Sequence, residues 1–390
     1  MKNATKDSPF TPGAGRTPPL LAGREEATGR LRLVLHRLTI ARVKSGKLKL
    51  PPYSPVRIVA PPGGGRRTLL AWIEREARQR GIRVARCSCP DPKDAGGDLY
   101  EPVLAAMVDE DGWGAPARRL LEERMGTADV EHLRENARSA VSLLLARLPD
   151  DERLALVMDD LQHYSQGSID WLLFTTQHPI SRGFPFSLIL AGTPMMDVCL
   201  FRTKARFIAR AEHIYIGALS DEATRDALRT PFEQAGVAVT PDALEALAAQ
   251  TDNYPYFIQL AGAAAWEAMA AAGRNEIDAE LVRQSEAKAR EGRASLYAPC
   301  YELLQENELL RYAVQTMELL DGHGGKVPED DVIDALVEDN PDVDGKKAEE
   351  IYESLCESSF IWTVDNDTVT GMPSFFGYLT ARQKKKIRKF

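Results

Sequence analysis

The chain has 390 residues, a formal net charge of -8, 44% hydrophobic and 27% charged residues, a composition typical of a globular protein with room for two or three domains. Its five scattered cysteines argue against a disulfide-stapled scaffold and favour a reducing, cytoplasmic location, and no apolar run approaches the roughly 20 residues that span a bilayer. The negative charge offers no overall attraction to nucleic acid, so any such contact must come from a local basic patch.

Residues 1–55 are predicted to form an N-terminal arm and a helix. The arm is rich in proline and glycine around Phe10, so it buries little by itself and is expected to lie on the next domain. Leucines at helical spacing predict a helix from about Glu25 to Lys44. Arg24 stands just before this helix. At the mouth of a nucleotide site it would face an adenine or a phosphate, and the alternative is an exposed arginine at a helix start.

Residues 56–70 read as a buried strand, a glycine-rich loop and a helix, which is the arrangement of a phosphate-binding loop. The pattern G-x-x-x-x-G-K-[S/T] supplies glycines for close backbone approach, a lysine for the outer phosphates and a hydroxyl for magnesium. Here the pattern keeps Gly65, but Ala60 replaces the first glycine. Arg66 stands in the lysine position and Arg67 in the hydroxyl position.

A shift of the pattern by one residue does not repair the loop. It would make Arg67 and Thr68 the lysine and hydroxyl pair, but it would place Arg66 where the second glycine is needed. Arginine supplies positive charge but is bulkier and forked where lysine is a slim point charge, and it does not ligate a cation. The nucleotide contacts predicted from this loop are Gly63, Gly64, Gly65, Arg66, Arg67 and Thr68.

Alternating strand and helix patterns after the loop predict parallel strands joined by crossover helices over residues 56–218. The buried strand at 154–158 ends in Asp159 and Asp160. Such a strand delivers its carboxylates to the carboxyl edge of the sheet beside the glycine loop, where Asp159 would hold Mg2+ and Asp160 would activate water. The alternative is a pair of aspartates that cap the next helix.

Two further features are candidate contacts of a terminal phosphate. Thr193 follows the buried strand at 186–191 and is either a phosphate sensor or a turn residue. Arginines at positions 202, 206 and 210 share one face of a predicted helix. In an oligomer they would reach a neighbour's phosphate, with Arg206 at the centre, and in a monomer they would form a solvated face.

The order and spacing of these motifs resemble the bacterial AAA+/STAND-like ATP-binding proteins with an origin-recognition-type layout. The resemblance covers nearly the whole chain and extends to Leu-Ala-Gly-Arg-Glu at 21–25, Leu-Ala-Gly-Thr-Pro at 190–194 and Thr-Asp-Asn-Tyr-Pro-Tyr-Phe-Ile-Gln at 251–259. The chain departs from the family at Ala60, Arg66 and Arg67, which makes its Walker A motif degenerate.

This resemblance implies an α/β fold with a P-loop NTPase-type (AAA+) parallel sheet domain at 56–218, an α-helical lid at 219–293 and a C-terminal winged-helix domain at 294–380. It also implies ATP or ADP as the cofactor, with Mg2+. In the lid, the turn that ends at Pro255 follows the form that some members have in place of a sensing arginine, so Pro255 is a candidate nucleotide contact.

The predicted winged helix has an acidic third helix. In a winged helix that reads DNA this helix enters the major groove. Residues 344–358 carry five acidic side chains against Lys346 and Lys347, and a surface of that sign repels phosphate. The sequence therefore favours a protein contact for this domain over DNA binding or a purely packing role.

Residues 381–390, at the end of the chain, are basic, whereas the predicted third helix is acidic. The basic residues at this end are Arg382, Lys384, Lys385, Lys386, Arg388 and Lys389. A like-charge tail is either a solvated end or a sequence-independent grip on nucleic acid that weakens with salt, and an acidic partner protein would fit it as well.

Three functional hypotheses remain from the sequence. The first is a nucleotide-binding regulator or scaffold that assembles with a partner protein, with hydrolysis and magnesium binding weak or absent. The second is a working ATPase that remodels or loads a partner on DNA. The third is a structural protein with an empty nucleotide site. Because Arg66 and Arg67 replace two chemical groups of the loop at once, the first hypothesis is favoured.

Overall fold

The computed structural model describes residues 7–13, 18, 20–40, 55–88, 96–148, 152–182, 184–203, 205–364 and 366–387, with side chains up to residue 383. The chain divides into two compact units, and the glycine segment 61–65 belongs to a different unit from the helix that follows it. We call residues 24–60 and 66–216 the sheet unit. The remainder, residues 1–23, 61–65 and 217–390, is the helical unit.

Parallel strands form the centre of the sheet unit. They are β1 (Val56–Val59), β2 (Arg83–Ser88), β3 (Leu154–Asp159), β4 (Phe186–Gly192) and β5 (Glu212–Tyr215). Their spatial order is β2-β3-β4-β1-β5, and each neighbouring pair is parallel. The register places Val59 opposite Gly192 and Ser88 opposite Asp159. The strands that carry the predicted site residues therefore end at one edge of the sheet, as the sequence predicts.

α-Helices precede and connect these strands along the chain. They are α1 (Glu25–Ile40), α2 (Arg66–Gln79), α3 (Tyr100–Val108), α4 (Ala115–Met125), α5 (Ala137–Ala146), α6 (Gln166–Arg182) and α7 (Met195–Phe201). The strand, loop and helix predicted at 56–70 are confirmed as β1, the glycine segment and α2. The extension of α1 predicted to Lys44 lies outside the described residues. The core of the unit is apolar and joins β3 and β4, which are fully buried, to α3, α5 and α6.

The prediction that three arginines share one helical face is wrong. Helix α7 ends at Phe201, and a separate 3-10 turn covers Arg206–Arg210. Ala205 between them has φ -81° and ψ 78°, which is not helical. Arg202 and Arg206 therefore do not follow one another along one helix.

The helical unit begins with a bundle and continues into a small sheet with its own helices. Its elements are α8 (Asp221–Gln234), β6 (Ala238–Val239), α9 (Pro241–Ala249), α10 (Pro255–Ala271), β7 (Glu276–Ile277), α11 (Ala279–Glu306), α12 (Leu310–Gly322), β8 (Lys326–Pro328), α13 (Glu329–Glu338), α14 (Gly345–Glu357), β9 (Ile361–Val364), β10 (Asp367–Thr370) and α15 (Phe375–Ile387). Ser220 and Thr240 cap α8 and α9 through their side chains.

Helix α11 is longer than the sequence suggests. It runs through Gly292 and continues to Glu306 without a break, across the boundary expected between the lid and the winged helix. A Cβ atom at Gly292 would lie 2.5 Å from Leu260 Cδ2 on α10, so glycine at this position permits two helices to approach closely. The domain boundary expected at 293/294 therefore falls inside α11.

The N-terminal arm packs on the helical unit and not on the parallel sheet that follows it in sequence. The Phe10 ring lies 4.6 Å from the Phe232 ring, and a Cβ atom at Gly262 would lie 2.4 Å from Phe10 Cδ1. The Thr11 N–H also donates to Gln259 Oε1 at 3.0 Å. The aromatic residue that begins the arm motif is thus a core residue of this unit.

The C-terminal part has three helices followed by a hairpin, in the order expected from the sequence. Strand β10 lies between β8 and β9, and both pairs are antiparallel. Asn366 turns the hairpin with a φ of 69°. The sequence analysis missed β8 and α15, and the boundary expected at 380/381 falls inside α15. No helix in the described ranges has the length and apolar character to cross a membrane.

Candidate functional site

Arg66 ion-pairs with both aspartates at the end of β3. Its Nε donates to Asp159 Oδ1 at 2.8 Å, and its Nη2 contacts Asp160 Oδ1. The Arg66 side chain is only 11% exposed, and that of Asp159 is fully buried. Arg66 occupies the lysine position of the loop. Its side chain therefore points to Asp159, the predicted magnesium ligand, and to Asp160, which is predicted to activate water.

Asp159 has further partners on both of its carboxylate oxygens. The Asp160 N–H donates to Asp159 Oδ1 at 3.0 Å, and Arg86 Nη2 donates to Asp159 Oδ2 at 3.2 Å. The other arm of Arg86 donates to Glu74 Oε1 at 2.7 Å. These hydrogen bonds compensate a carboxylate that lies entirely out of water.

Arg67 completes the group from the surface. Its Nη2 donates to Asp160 Oδ2 at 3.3 Å, and its side chain is half exposed. We call the whole group the arginine–carboxylate cluster, and its members are Arg66, Arg67, Glu74, Arg86, Asp159 and Asp160. Three guanidinium charges oppose three carboxylate charges, so the cluster is neutral as it stands.

The cluster affects the pKa of Asp160 and of a neighbouring residue, His163. Burial pushes the pKa of Asp160 upward, but the charges of Arg66 and Arg67 outweigh it and hold the pKa below the ordinary value. Burial lowers the pKa of His163 below its ordinary value. The negative charge of Asp160 counteracts this lowering, and the positive charge of Arg66 adds to it. Asp160 is thus ionised and His163 is neutral at pH 7.

Gln162 connects the cluster to Thr193. Gln162 Nε2 donates to Asp160 Oδ1 at 3.3 Å, and Gln162 Oε1 accepts from the Thr193 N–H at 3.3 Å. A Cβ atom at Gly192 would lie 2.4 Å from Gln162 Oε1, so the glycine of the Ala-Gly-Thr-Pro motif makes room for this side chain. The predicted phosphate sensor is positioned through its backbone by a glutamine that the sequence analysis overlooked.

Within the helical unit, the start of α10 holds the glycine segment. The Tyr254 hydroxyl donates to the Pro62 carbonyl, and the Tyr256 N–H donates to the Gly63 carbonyl at 3.2 Å. Gly63 has φ 83°, and a Cβ atom there would lie 2.9 Å from the Tyr254 ring. Glycine is therefore needed at this position for both backbone conformation and space.

Pro255 also lies beside the glycine segment, as expected. A Cβ atom at Gly65 would lie 3.9 Å from Pro255 Cβ, and Gly65 has φ 95°. The Gly64 N–H donates to the Pro61 carbonyl at 2.9 Å and closes a tight turn. The turn that ends in Pro255 thus contacts the loop with aromatic and proline side chains.

The structure brings some predicted residues together and leaves others apart. Arg66, Arg67, Asp159 and Asp160 meet in one cluster, to which Gln162 links Thr193. Thr68 is partly exposed on α2, and Arg206 is exposed on the 3-10 turn. Arg24 is buried rather than exposed, and its carbonyl accepts from the Thr28 N–H at 2.8 Å to begin α1.

The basic tail is described only in part. Arg382 lies on α15 with its guanidinium carbon 5.2 Å from the ring centres of Tyr301 and Tyr378. The side chains of Lys384, Lys385 and Lys386 lie outside the description, as do residues Arg388 and Lys389 entirely. The helix α15 extends into the tail as far as Ile387.

Sequence reasoning missed the partners of the cluster as well as Gln162. Arg86 and Glu74 hold Asp159 and each other, and Tyr254 holds the loop. A signal for Arg86 is present, since it stands between Ala85 and Cys87 in β2, a short strand that also contains Arg83. A charged side chain on a strand that packs in a sheet core requires a buried counter-charge.

Comparison with solved structures identifies the fold. The ORC2 protein of Aeropyrum pernix, in ADPNP-ADP complexes, matches with TM-score 0.57 and 15% identity over 96% of this chain and 98% of that one. Cdc6p from Pyrobaculum aerophilum matches with TM-score 0.53 and 16% identity over 97% and 98%. The Walker-type ATPase paby2304 of Pyrococcus abyssi matches with TM-score 0.64 and 13% identity over 95% and 99%.

No protein-family model and no curated protein matches the chain. The structural matches span nearly the whole chain, and their low identity means that they establish the fold alone. The protein has the AAA+ P-loop fold of the ORC and Cdc6 type. Function has to be argued from the residues in the site.

Proposed function

We propose that the protein is an AAA+-type scaffold or regulator that assembles with a partner protein and does not hydrolyse ATP. The observation that carries this proposal is the pair of contacts from Arg66 to Asp159 and Asp160. In a working loop the residue at this position points to the outer phosphates, and the carboxylates hold magnesium and water. In this chain, Arg66 and the two aspartates neutralise one another's charge.

The donor set does not fit Mg2+. Both Asp159 oxygens accept hydrogen bonds from Arg66, Arg86 or the Asp160 N–H. A dication in this place would face three guanidinium groups and would require Asp159 to leave a paired, buried position. We therefore derive no hydrolytic step through a metal ion at this site.

A second candidate function is nucleotide binding without magnesium. Gly63 and Gly65 have positive φ angles, and α2 begins immediately after Gly65. Backbone N–H groups at a helix start attract phosphate without any metal. If this candidate is correct, millimolar ATP or ADP in EDTA raises the melting temperature by mass action, and no shift supports an empty site.

We interpret the C-terminal part as a winged helix that contacts protein. The support is the order of α12, α13, α14 and the β9–β10 hairpin together with the acidic charge of α14. The basic tail gives weak, sequence-independent attraction to nucleic acid. Binding that appears only at low salt and disappears on deletion of 382–390 agrees with this interpretation, and tight binding that survives the deletion at physiological salt contradicts it.

The decisive experiment compares the wild type with a repaired loop. The triple variant Ala60→Gly, Arg66→Lys, Arg67→Thr restores G-x-x-x-x-G-K-T and removes both loop arginines from the carboxylates. We expect no phosphate release from the wild type above a blank. We expect the triple variant to gain a melting shift that needs both ATP and Mg2+, because Asp159 is then free of Arg66.

The contradicting result concerns the wild type. Turnover of about 1 per second or more, the low end for ordinary enzymes, that is lost in Asp160→Ala would mean that the arginine loop is catalytic. The matched control for the triple variant is Ala60→Gly alone, which leaves both arginines in place.

A further inference from the structure

The turn before α10 has an unfavourable backbone conformation. Asp252 and Asn253 are adjacent residues with φ angles of 48° and 56°. A Cβ atom crowds the backbone in this left-handed region, although aspartate and asparagine tolerate it better than most other residues. Residues of this kind persist where their surroundings hold them, and they are concentrated at ligand sites and switch regions. Two in succession therefore indicate a turn that other parts of the molecule hold in place.

The turn positions the two tyrosines that hold the glycine segment. The Tyr254 hydroxyl donates to the Pro62 carbonyl, and the Tyr256 N–H donates to the Gly63 carbonyl at 3.2 Å. Both tyrosines come directly after Asn253 in the chain. A change in the backbone of the turn therefore moves the groups that hold the segment.

A distant part of the helical unit contacts the turn at Asp252. The Ser374 hydroxyl donates to Asp252 Oδ2 at 2.7 Å, although the two residues are 122 positions apart in the chain. Arg293 Nη1, on α11, pairs with the same oxygen at 3.4 Å. The Arg293 guanidinium carbon also lies 4.4 Å from the ring centre of Phe257 on α10. We call Asp252, Arg293 and Ser374 the Asp252 bridge.

Ser374 is fixed through its two neighbours in the chain. The Tyr297 hydroxyl donates to the Pro373 carbonyl at 2.7 Å, and the Tyr297 ring centre lies 5.1 Å from that of Phe375. The Phe375 side chain is fully buried. Ser374 itself has a φ of 57°, so it also occupies the left-handed region. The hydroxyl that reaches Asp252 is therefore attached to the core of the C-terminal part and moves with it.

The Asp252 bridge lies at the surface. The Asp252 side chain is 34% exposed, and Ser374 is exposed as well. Because water can replace such a hydrogen bond, breaking it costs little of the total stability. It nevertheless removes the contact by which the C-terminal part holds the turn. A contact of this kind permits local opening while the core stays folded.

We propose that the Asp252 bridge transmits a displacement of the C-terminal part to the glycine segment. While Ser374 contacts Asp252, the turn keeps its left-handed conformation, and Tyr254 and Tyr256 hold the segment. When the C-terminal part moves and Ser374 leaves Asp252, the turn relaxes and the segment is released. Asp252 is thus a positioning residue for the glycine segment. This role does not depend on whether the protein binds or hydrolyses nucleotide.

Hydrogen–deuterium exchange of the full chain, followed by mass spectrometry of overlapping peptides, tests the bridge. The Tyr256 N–H reports directly on the segment, because it lies in the first turn of α10, where the helix supplies no acceptor. Ser374→Asp removes the hydroxyl donor and places a second carboxylate beside Asp252. We expect the Tyr256 amide to exchange about fivefold faster, the effect of losing one hydrogen bond. Exchange in α9, in the same unit, should not change.

Two further variants separate charge from the mere change of side chain. Ser374→Asn is the matched control, because its amide is still a donor and asparagine also tolerates the left-handed conformation. Its Tyr256 amide should exchange within about twofold of the wild type, as for an ordinary surface substitution. Ser374→Asp combined with Asp252→Asn again places one carboxylate beside one amide donor. This double variant should return the exchange of Tyr256 to the level of Ser374→Asn.

Three results would overturn the proposal. The first is equal exchange of the Tyr256 amide in Ser374→Asp and Ser374→Asn. The second is a double variant that exchanges as fast as Ser374→Asp alone. The third is an increase that extends to α9 by the same factor, because the substitution would then destabilise the whole unit and not the turn. Near-ultraviolet circular dichroism checks that each variant is folded.

Discussion

The arginine–carboxylate cluster of the sheet unit and a row of aromatic rings in the helical unit are held together by different forces. The row, which we call the aromatic ladder, runs Tyr254, Phe257, Tyr297, Phe375, Phe360. Successive ring centres are 5.2, 6.0, 5.1 and 5.5 Å apart. It leads from the residue that holds the glycine segment to the core under the C-terminal hairpin.

The difference lies in what each region tolerates. In the cluster every buried charge depends on a specific partner, so removal of one partner leaves another charge stranded. In the ladder the rings bury apolar area, and no contact depends on protonation. The cluster is therefore a network of ion pairs, which reaches Arg78 through Glu74, whereas the ladder is held by apolar packing of rings.

The largest effect is expected in the ladder. Phe375 is fully buried and contacts Tyr297, Phe360 and Tyr378. Phe375→Ala should lower the free energy of unfolding by about 3 to 5 kcal/mol, measured by urea denaturation. Phe174→Ala, at a ring that is 52% exposed on α6, should change it by less than about 0.5 kcal/mol. Equal losses would mean that the ladder is not a core element.

Substitution of the buried arginine of the cluster should destabilise the protein nearly as much. Substitution of the half-exposed arginine should have a small effect. Arg66→Ala leaves the buried Asp159 short of a partner and should cost about 3 kcal/mol at pH 7. Arg67→Ala removes a half-exposed partner and should cost less than about 1 kcal/mol. A larger loss in the free energy of unfolding for Arg67→Ala than for Arg66→Ala would show that the buried Arg66–Asp159 pair is not the main stabilising contact of the cluster.

Acidification separates the two regions further. The folded-state pKa of His163 is below its ordinary value of 6.5, so the unfolded chain takes up the proton first. Stability is therefore present above pH 6.5 and declines as the pH falls below it. Asp160, with its pKa below 3.8, adds a second loss in stronger acid.

Urea denaturation between pH 8 and 5 checks this prediction. His163→Gln should reduce the decline below pH 6.5, whereas Phe375→Ala should leave its slope unchanged, because no titrating group is involved. The prediction fails if His163→Gln follows the same pH dependence as the wild type.

The smallest effect concerns the link between Tyr254 and the glycine segment. Tyr254→Phe keeps the ring in the ladder and removes only the hydrogen bond to the Pro62 carbonyl. We expect a loss of about 1 kcal/mol in the free energy of unfolding. Tyr352→Phe is the comparison, because its hydroxyl also lies in a buried network, with Thr363 and Thr368. A loss above that of Phe375→Ala would mean that the hydroxyl, not the ring, holds the segment.

Local patterns in the sequence were sufficient to predict much of the fold and part of the site. Apolar runs with period-specific spacing predicted β1, β3 and β4, and the glycine loop predicted the start of α2. Because parallel strands deliver their ends to one edge, the proximity of Arg66 to Asp159 was predictable from topology. The hydrogen bonds of the cap residues Ser220 and Thr240 are local, so helix caps of this kind are also accessible to sequence patterns.

The sequence by itself determined the strand, loop and helix at 56–70, the buried strands that follow, and the replacement of lysine and hydroxyl by two arginines. Only the tertiary structure decided where those arginines point, because an arginine side chain is long enough to reach either a phosphate or a carboxylate. It also decided that Arg86 and Gln162 belong to the site and that Gly292 lies inside a helix and not at its end. Each of these features depends on a contact with a residue that is distant in the sequence. Local sequence patterns do not identify such a residue.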